Sequence, residues 1–271
     1  GDRIEGALVV RSPSVQVVRY TGTLSPDGRL TQLEYGVRPA TGSPPPNAPQ
    51  SITLRVAGDS VRREARFADS VSVRTVAVPA NAILAFGTSY ALYELGLRQL
   101  RASGAPSGAL LFYTGGPRVG QPYPVTFVGA DSARLEYFGD PMRVAFDREG
   151  RLIGIDGTST TNKVVVRRGD AADIAALASA FAARGAMGQT SPRDTVRATI
   201  GGAELLIDYG RPSVRGRTVW GGTLVPHGAI WRTGANQATH FRTSRDLGIG
   251  NVHVPAGTYT LYTWPTAQGY Q

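Results

Sequence analysis

Three consecutive runs, SITLRVA (Ser51–Ala57), SVRREARF (Ser60–Phe67) and SVSVRTVAV (Ser70–Val78), alternate apolar and polar residues, with only Gly58-Asp59 and Ala68-Asp69 between them. Successive side chains of a strand point to opposite faces, so this alternation fits a half-buried strand and not a helix. Breaks of two residues have hairpin length. The segment therefore forms an antiparallel meander with one face on a core and the other in water.

The same grammar extends both ways. IEGALVV (Ile4–Val10), SVQVVRYTGTL (Ser14–Leu24) and RLTQLEYGV (Arg29–Val37) read as strands, the last two joined by the SPDG turn (Ser25–Gly28). In that turn proline presets φ and glycine takes a positive φ. ATGSPPPNAPQ (Ala40–Gln50) is a loop. Later strands are expected at Gly108–Gly115, Tyr123–Gly129, Ala133–Phe138 and Met142–Asp147. Two segments break the pattern. Pro79–Ser103 carries Ile83, Leu84, Phe86, Leu92, Leu95 and Leu97 at largely helical spacing, with Asn81 as a candidate N-cap and Gly104 past the end. Asp170–Gly188 is alanine-rich, with Arg184-Gly185 at its end, and reads as a second helix.

The expected fold is mainly β, α+β overall. Residues 1–188 form an antiparallel sheet or half-barrel packed on a long helix, with helices near 80–103 and 170–184. Residues 189–194 are a linker, and 195–271 form an all-β sandwich-like domain. The chain of 271 residues is long enough for two such cores.

Composition excludes several chemistries. There is no cysteine, hence no disulfide, thiolate nucleophile or Cys-ligated zinc. The net charge is +9, and every basic residue but Lys163 is arginine. The charge is spread over the chain with no basic run longer than two, Arg62-Arg63 and Arg167-Arg168. That argues against nucleic-acid binding, which concentrates charge on one face or interleaves it with aromatics. No run of about 18 apolar residues exists, so no transmembrane segment is expected. The start at Gly1-Asp2, without an initiator Met, suggests a periplasmic or extracellular protein whose signal peptide has been removed.

Candidate sites cluster late. His227, His240 and His253 are the only histidines and fall close together, but they lack metal-ligand spacing and a supporting carboxylate pair. No cofactor is expected. GTSYA (Gly87–Ala91) mimics half a nucleophile elbow, but Ser89 falls inside the helical pattern. Lys163 reads as an exposed strand end, and Glu204 with Asp208 is a weak carboxylate pair. In VPHGAIWRTGANQATHF (Val225–Phe241), Arg232 and Asn236 flank Thr233-Gly234-Ala235. The preferred reading is structural. Asn236 caps the turn, Arg232 pairs with Asp208 to tie two corners, and Trp220 with Trp231 closes the core beneath. The alternative makes Arg232 and Arg211, with Asn236, Asp208 and Trp231, the lining of an anionic-ligand site.

DYGRPSVRGR (Asp208–Arg217), VWGGTLVPHGAIWRTGANQAT (Val219–Thr239) and VPAGTYTLYT (Val254–Thr263) resemble the bacterial domain-of-unknown-function family 2911 over residues ~205–270. The resemblance implies a small β-sandwich, generally of exported proteins, and no activity. His227 stands where the family usually has an aromatic, and His240 where it has Thr. Similar domains continue for several more strands, so the sandwich is expected to be incomplete and to self-associate through exposed strand edges. The first half is loosely similar in architecture to periplasmic lipoprotein-carrier-like half-barrels. The functional expectation is an exported, non-catalytic binding or assembly module. The alternatives are a hydrolase or metal-dependent enzyme at the 225–241 corner, or a carrier of an apolar ligand in the first half.

Overall fold

A computed structural model describes residues 2–87, 89–160 and 163–270. The protein is mainly β, with antiparallel sheets, a half-barrel and, among the described residues, two helices. It divides into two compact units, Gly1–Gly188 and Gln189–Gln271.

In the first unit, six strands form an antiparallel meander: β1 (Arg3–Val10), β2 (Gln16–Leu24), β3 (Leu30–Pro39), β4 (Ser51–Ala57), β5 (Ser60–Arg66) and β6 (Val71–Ala77). Seven more form the second sheet: β7 (Ala82–Leu84), β8 (Ser107–Tyr113), β9 (Tyr123–Val128), β10 (Ser132–Tyr137), β11 (Asp140–Phe146), β12 (Leu152–Gly157) and β13 (Val164–Arg167). Among the described residues of this sheet only β7 and β8 pair in parallel, and helix α1 (Tyr90–Ala102) crosses between them. Both sheets contribute to one core, in which Leu33, Leu54, Leu84, Leu97, Leu110, Leu135 and Ile155 are buried.

The expected helix over 80–103 is shorter than its pattern. Ala82–Leu84 is a strand paired to Leu111–Tyr113, and the helix begins only at Tyr90. A short, fully buried apolar run has no period that separates strand from helix. Gly87, at φ +44°, makes the turn that a continuous helix would not allow. Ser89, not Asn81, holds the N-cap position. Gly96 allows the close approach that seats α1. A Cβ there would lie 2.2 Å from Ile83 Cδ1 and 2.8 Å from Leu110 Cδ2.

Helix α2 (Ile174–Arg184) packs against β1. The Asp173 side chain accepts from the Ala175 and Ala176 amides at 2.9 and 3.0 Å, satisfying two donors left over at the helix start. Asp173→Ala should cost about 1 kcal/mol. Far-UV circular dichroism in denaturant would show it, and an unchanged midpoint would mean that the cap contributes nothing.

The hairpin from β10 to β11 turns through Phe138 (φ +51°) and Gly139 (φ +86°), between the paired Tyr137 and Asp140. Glycine and asparagine favour such positions, and an aromatic residue there is strained by ~1–2 kcal/mol.

The second unit holds one four-stranded antiparallel sheet: β14 (Arg193–Ile200), β15 (Ala203–Gly210), β16 (His240–Thr243) and β19 (Gly257–Thr260). Two short hairpins accompany it, β17 (Leu247–Ile249) with β18 (Val252–Val254), and β20 (Pro265–Thr266) with β21 (Gly269–Tyr270). Gly201-Gly202 forms the tip of the β14–β15 hairpin with positive φ at both positions. The expected linker 189–194 ends earlier than its composition suggests. Arg193 and Asp194 are already paired in β14, opposite Gly210 and Tyr209. β14 is an edge strand that exposes Val196 and Ile200. No helix among the described residues is long and apolar enough to cross a membrane.

Candidate functional site

In the second unit the two expected corners do meet, but through other groups. Asp208 is paired with Arg193, not Arg232, at 2.6 Å. The same guanidinium donates to the Asp208 carbonyl at 3.1 Å and to the Ala238 carbonyl at 3.2 Å. Register explains the exchange of partners. Arg193 faces Gly210 across the ladder, so its long side chain reaches Asp208 diagonally. Gly210 completes the tie, since a Cβ there would come within 2.9 Å of the Ala235 carbonyl. Arg232 is exposed and makes no side-chain hydrogen bond or ion pair among the described residues. Arg211 pairs with Asp194 at 2.7 Å.

Asn236 does not cap its turn by its amide. It contributes a φ of +64°, while the buried Thr239 hydroxyl donates to the Thr233 carbonyl. Trp231 exchanges backbone hydrogen bonds with Thr263, at 2.8 and 2.9 Å. Trp220 meets Trp231 edge-to-face at 5.3 Å but is 49% exposed, so it does not close a core.

The histidines are dispersed. His227 lies against Gly221, His240 sits on β16 opposite Asp208 and Thr260, and His253 is 3.1 Å from Asp246. No group of three or more metal-ligating side chains occurs among the described residues. Ser89 is buried at the N-cap of α1, and Lys163 is exposed just before β13.

The Arg193 hydrogen bond and charge hold the Asp208 carboxyl below the usual carboxylate range. A carboxyl with a lowered folded-state pKa contributes stability above its unfolded value, and loses it as pH falls through the folded one. Arg193→Ala should therefore lower the denaturant midpoint of the second unit at neutral pH and blunt its fall below about pH 4. Arg232→Ala should leave both unchanged. All three tryptophans lie in this unit, so tryptophan fluorescence of the whole chain reads it. Equal effects of the two substitutions would contradict the assignment.

The first unit holds a cluster that the sequence reading missed. A cross-strand row on the core face runs Gly22, Leu33, Leu54, Arg63, Arg74. Arg63 is flanked on its own strand and face by Val61 and Ala65, both fully buried. Two arginines thus continue a row that is apolar up to Leu54, and they stand directly opposite each other, Arg63 half-buried and Arg74 exposed on the edge strand β6. Neither makes a hydrogen bond or ion pair among the described residues. Arg62 and Arg66, on the other face, share Glu64 at 2.8 and 2.6 Å. Like charges in direct cross-strand register are destabilising, so the row carries a cost, reduced by water at the exposed Arg74, with no carboxylate paired to either among the described residues.

The surroundings are arranged. The buried Gly115, at φ +83°, sits over Arg63, and a Cβ there would lie 3.2 Å from Arg63 Cδ and Nε. The Tyr113 hydroxyl donates to the Gly116 carbonyl at 3.1 Å. Burial pushes the Tyr113 and Tyr35 hydroxyls above the usual phenol range, while Arg63 acts on both in the opposite sense and Arg74 on Tyr113. Four groups therefore share one electrostatic neighbourhood. Two planar guanidinium forks suit an oxyanion. The signal that could have found Arg63 is the Val61-x-Arg63-x-Ala65 alternation, which places a cation on the apolar face.

Residues 191–271 match the family model described as "Protein of unknown function (DUF2911)". No curated protein and no solved structure matches the chain.

Proposed function

We propose that the protein is a non-catalytic binding module whose ligand presents an oxyanion to Arg63 and Arg74 on the core face of the half-barrel. The observation that carries this reading is the direct opposition of two arginines, with no carboxylate paired to either, in a row whose other members are apolar or glycine. An anion seated between them relieves the repulsion and forms charge-assisted hydrogen bonds. The first unit contains no histidine, and no acid is paired to either guanidinium, so the arrangement supplies binding groups rather than a proton-transfer pair.

A ligand that binds only the folded state raises its stability with concentration. Inorganic phosphate, added at constant ionic strength with chloride as balance, should raise the first unit's melting temperature progressively, followed by far-UV circular dichroism. The Arg63→Gln/Arg74→Gln double variant should show no such rise, and Arg232→Gln should respond like the parent. If the parent and the double variant respond equally, the reading fails.

A further inference from the structure

A second group of side chains in the first unit is uncharged, and its chemistry differs from that of the arginine pair. Rings run in contact from helix α1 to the surface: Tyr90 to Tyr93 at 5.2 Å, Tyr93 to Phe112 at 4.5 Å, Phe112 to Tyr123 at 5.9 Å, and Tyr123 to Tyr137 at 5.2 Å. Phe138 ends the series, edge-on to Tyr123 and Tyr137 and 42% exposed. The tyrosine hydroxyls lie within electrostatic reach of one another. Burial and the neighbouring phenols push the Tyr93 hydroxyl well above the usual range, and Tyr123 is pushed up to about 12. No arginine or lysine acts on either, unlike Tyr35 and Tyr113.

Two features are left without an internal purpose. Tyr93 is only 6% exposed, yet its hydroxyl has no hydrogen-bond partner among the described residues. Its oxygen still keeps a small accessible area, so it is not sealed into the core. Buried hydroxyls are normally satisfied, so this one calls for an external partner. Phe138 holds an exposed ring on a turn whose positive φ disfavours it.

We infer that the Tyr93, Tyr123 and Phe138 surface is a binding site for a neutral saccharide. A sugar offers hydroxyls to the phenols and a C–H face to an aromatic ring, which matches a polar interior beside an exposed platform. An anion finds no cation here. A quaternary ammonium needs ring faces splayed around it, whereas these rings are packed against one another. A purely apolar ligand would desolvate the Tyr93 hydroxyl without replacing its partner.

The test is saturation-transfer NMR on the full chain with glucose, galactose, N-acetylglucosamine and their β1,4-linked disaccharides. At least one should bind. Tyr93→Phe should weaken it about tenfold, the size of one lost hydrogen bond, without lowering the melting temperature. Phe138→Asn suits the turn and should abolish the transfer signal while keeping the fold. Phosphate binding should be unchanged in both variants, which separates this site from the arginine pair. Absence of binding by the whole panel, or binding indifferent to both substitutions, overturns the inference. So does a marked loss of stability in Tyr93→Phe, which would show that the hydroxyl serves the fold.

Discussion

Leu54→Ala is expected to destabilise the first unit by about 2–5 kcal/mol, the range for deleting a fully buried leucine whose surroundings relax only in part. Leu54 is wholly buried between Leu33 and Arg63 in the core-face row, and it also lies under the Gly115 turn, where a Cβ would meet its Cδ2 at 3.3 Å. Truncation removes packing from both. The cavity would open beside two unpaired guanidiniums, which draw in water. Urea denaturation followed by far-UV circular dichroism reads the loss, while tryptophan fluorescence reads the second unit as an internal reference. A shift below 1 kcal/mol would mean that the row is not packed as described.

Arg63→Leu is expected to act in the opposite direction. It would continue the apolar row and remove the like-charge opposition with Arg74. The gain should be about 1 kcal/mol, or a rise of roughly 2–4 °C in the unit's melting temperature. A core-facing substitution that raises stability and abolishes ligand binding is the signature of a position kept for function. If Arg63 instead served packing by its stem alone, the leucine would be neutral. If it served through an ion pair or hydrogen bond, the leucine would be destabilising. The stability of Arg63→Leu with and without phosphate separates these cases.

Strand positions in both units are legible where alternation and hairpin-length breaks, which are local properties of the chain, occur. Ala57 with Ser60 brackets Gly58-Asp59, and Ile200 with Ala203 brackets Gly201-Gly202, as their spacing implies. The family resemblance was legible too, in strings such as WRTGAN. The Pro79–Ser103 segment reads as one helix because Ala82–Leu84 is too short and too buried to show a period of its own. The sequence shows both corners but not the register between them, and that register gives Asp208 to Arg193 and not to Arg232. The segment holding Arg193 looked like a linker, since Pro192 and the polar residues around it carry no strand pattern. Side-chain partnership on a sheet depends on diagonal neighbours, and these follow from register. Arg63 is a different case. Its position was readable from Val61 and Ala65, but as half of a two-residue basic run it bore only on overall charge. The tyrosine series joins residues from α1, β8, β9 and β10, and no local pattern brings those together.

On the proposed reading, Arg63 and Arg74 together hold an oxyanion. A titration of the whole protein with inorganic phosphate, observed through arginine Nε–H correlations in NMR, tests it most directly. Arg63 and Arg74 resonances, assigned by single substitution to glutamine, should shift together and saturably, while Arg232 stays still. Small, unsaturating shifts spread evenly over the exposed arginines would show a cationic surface without a site.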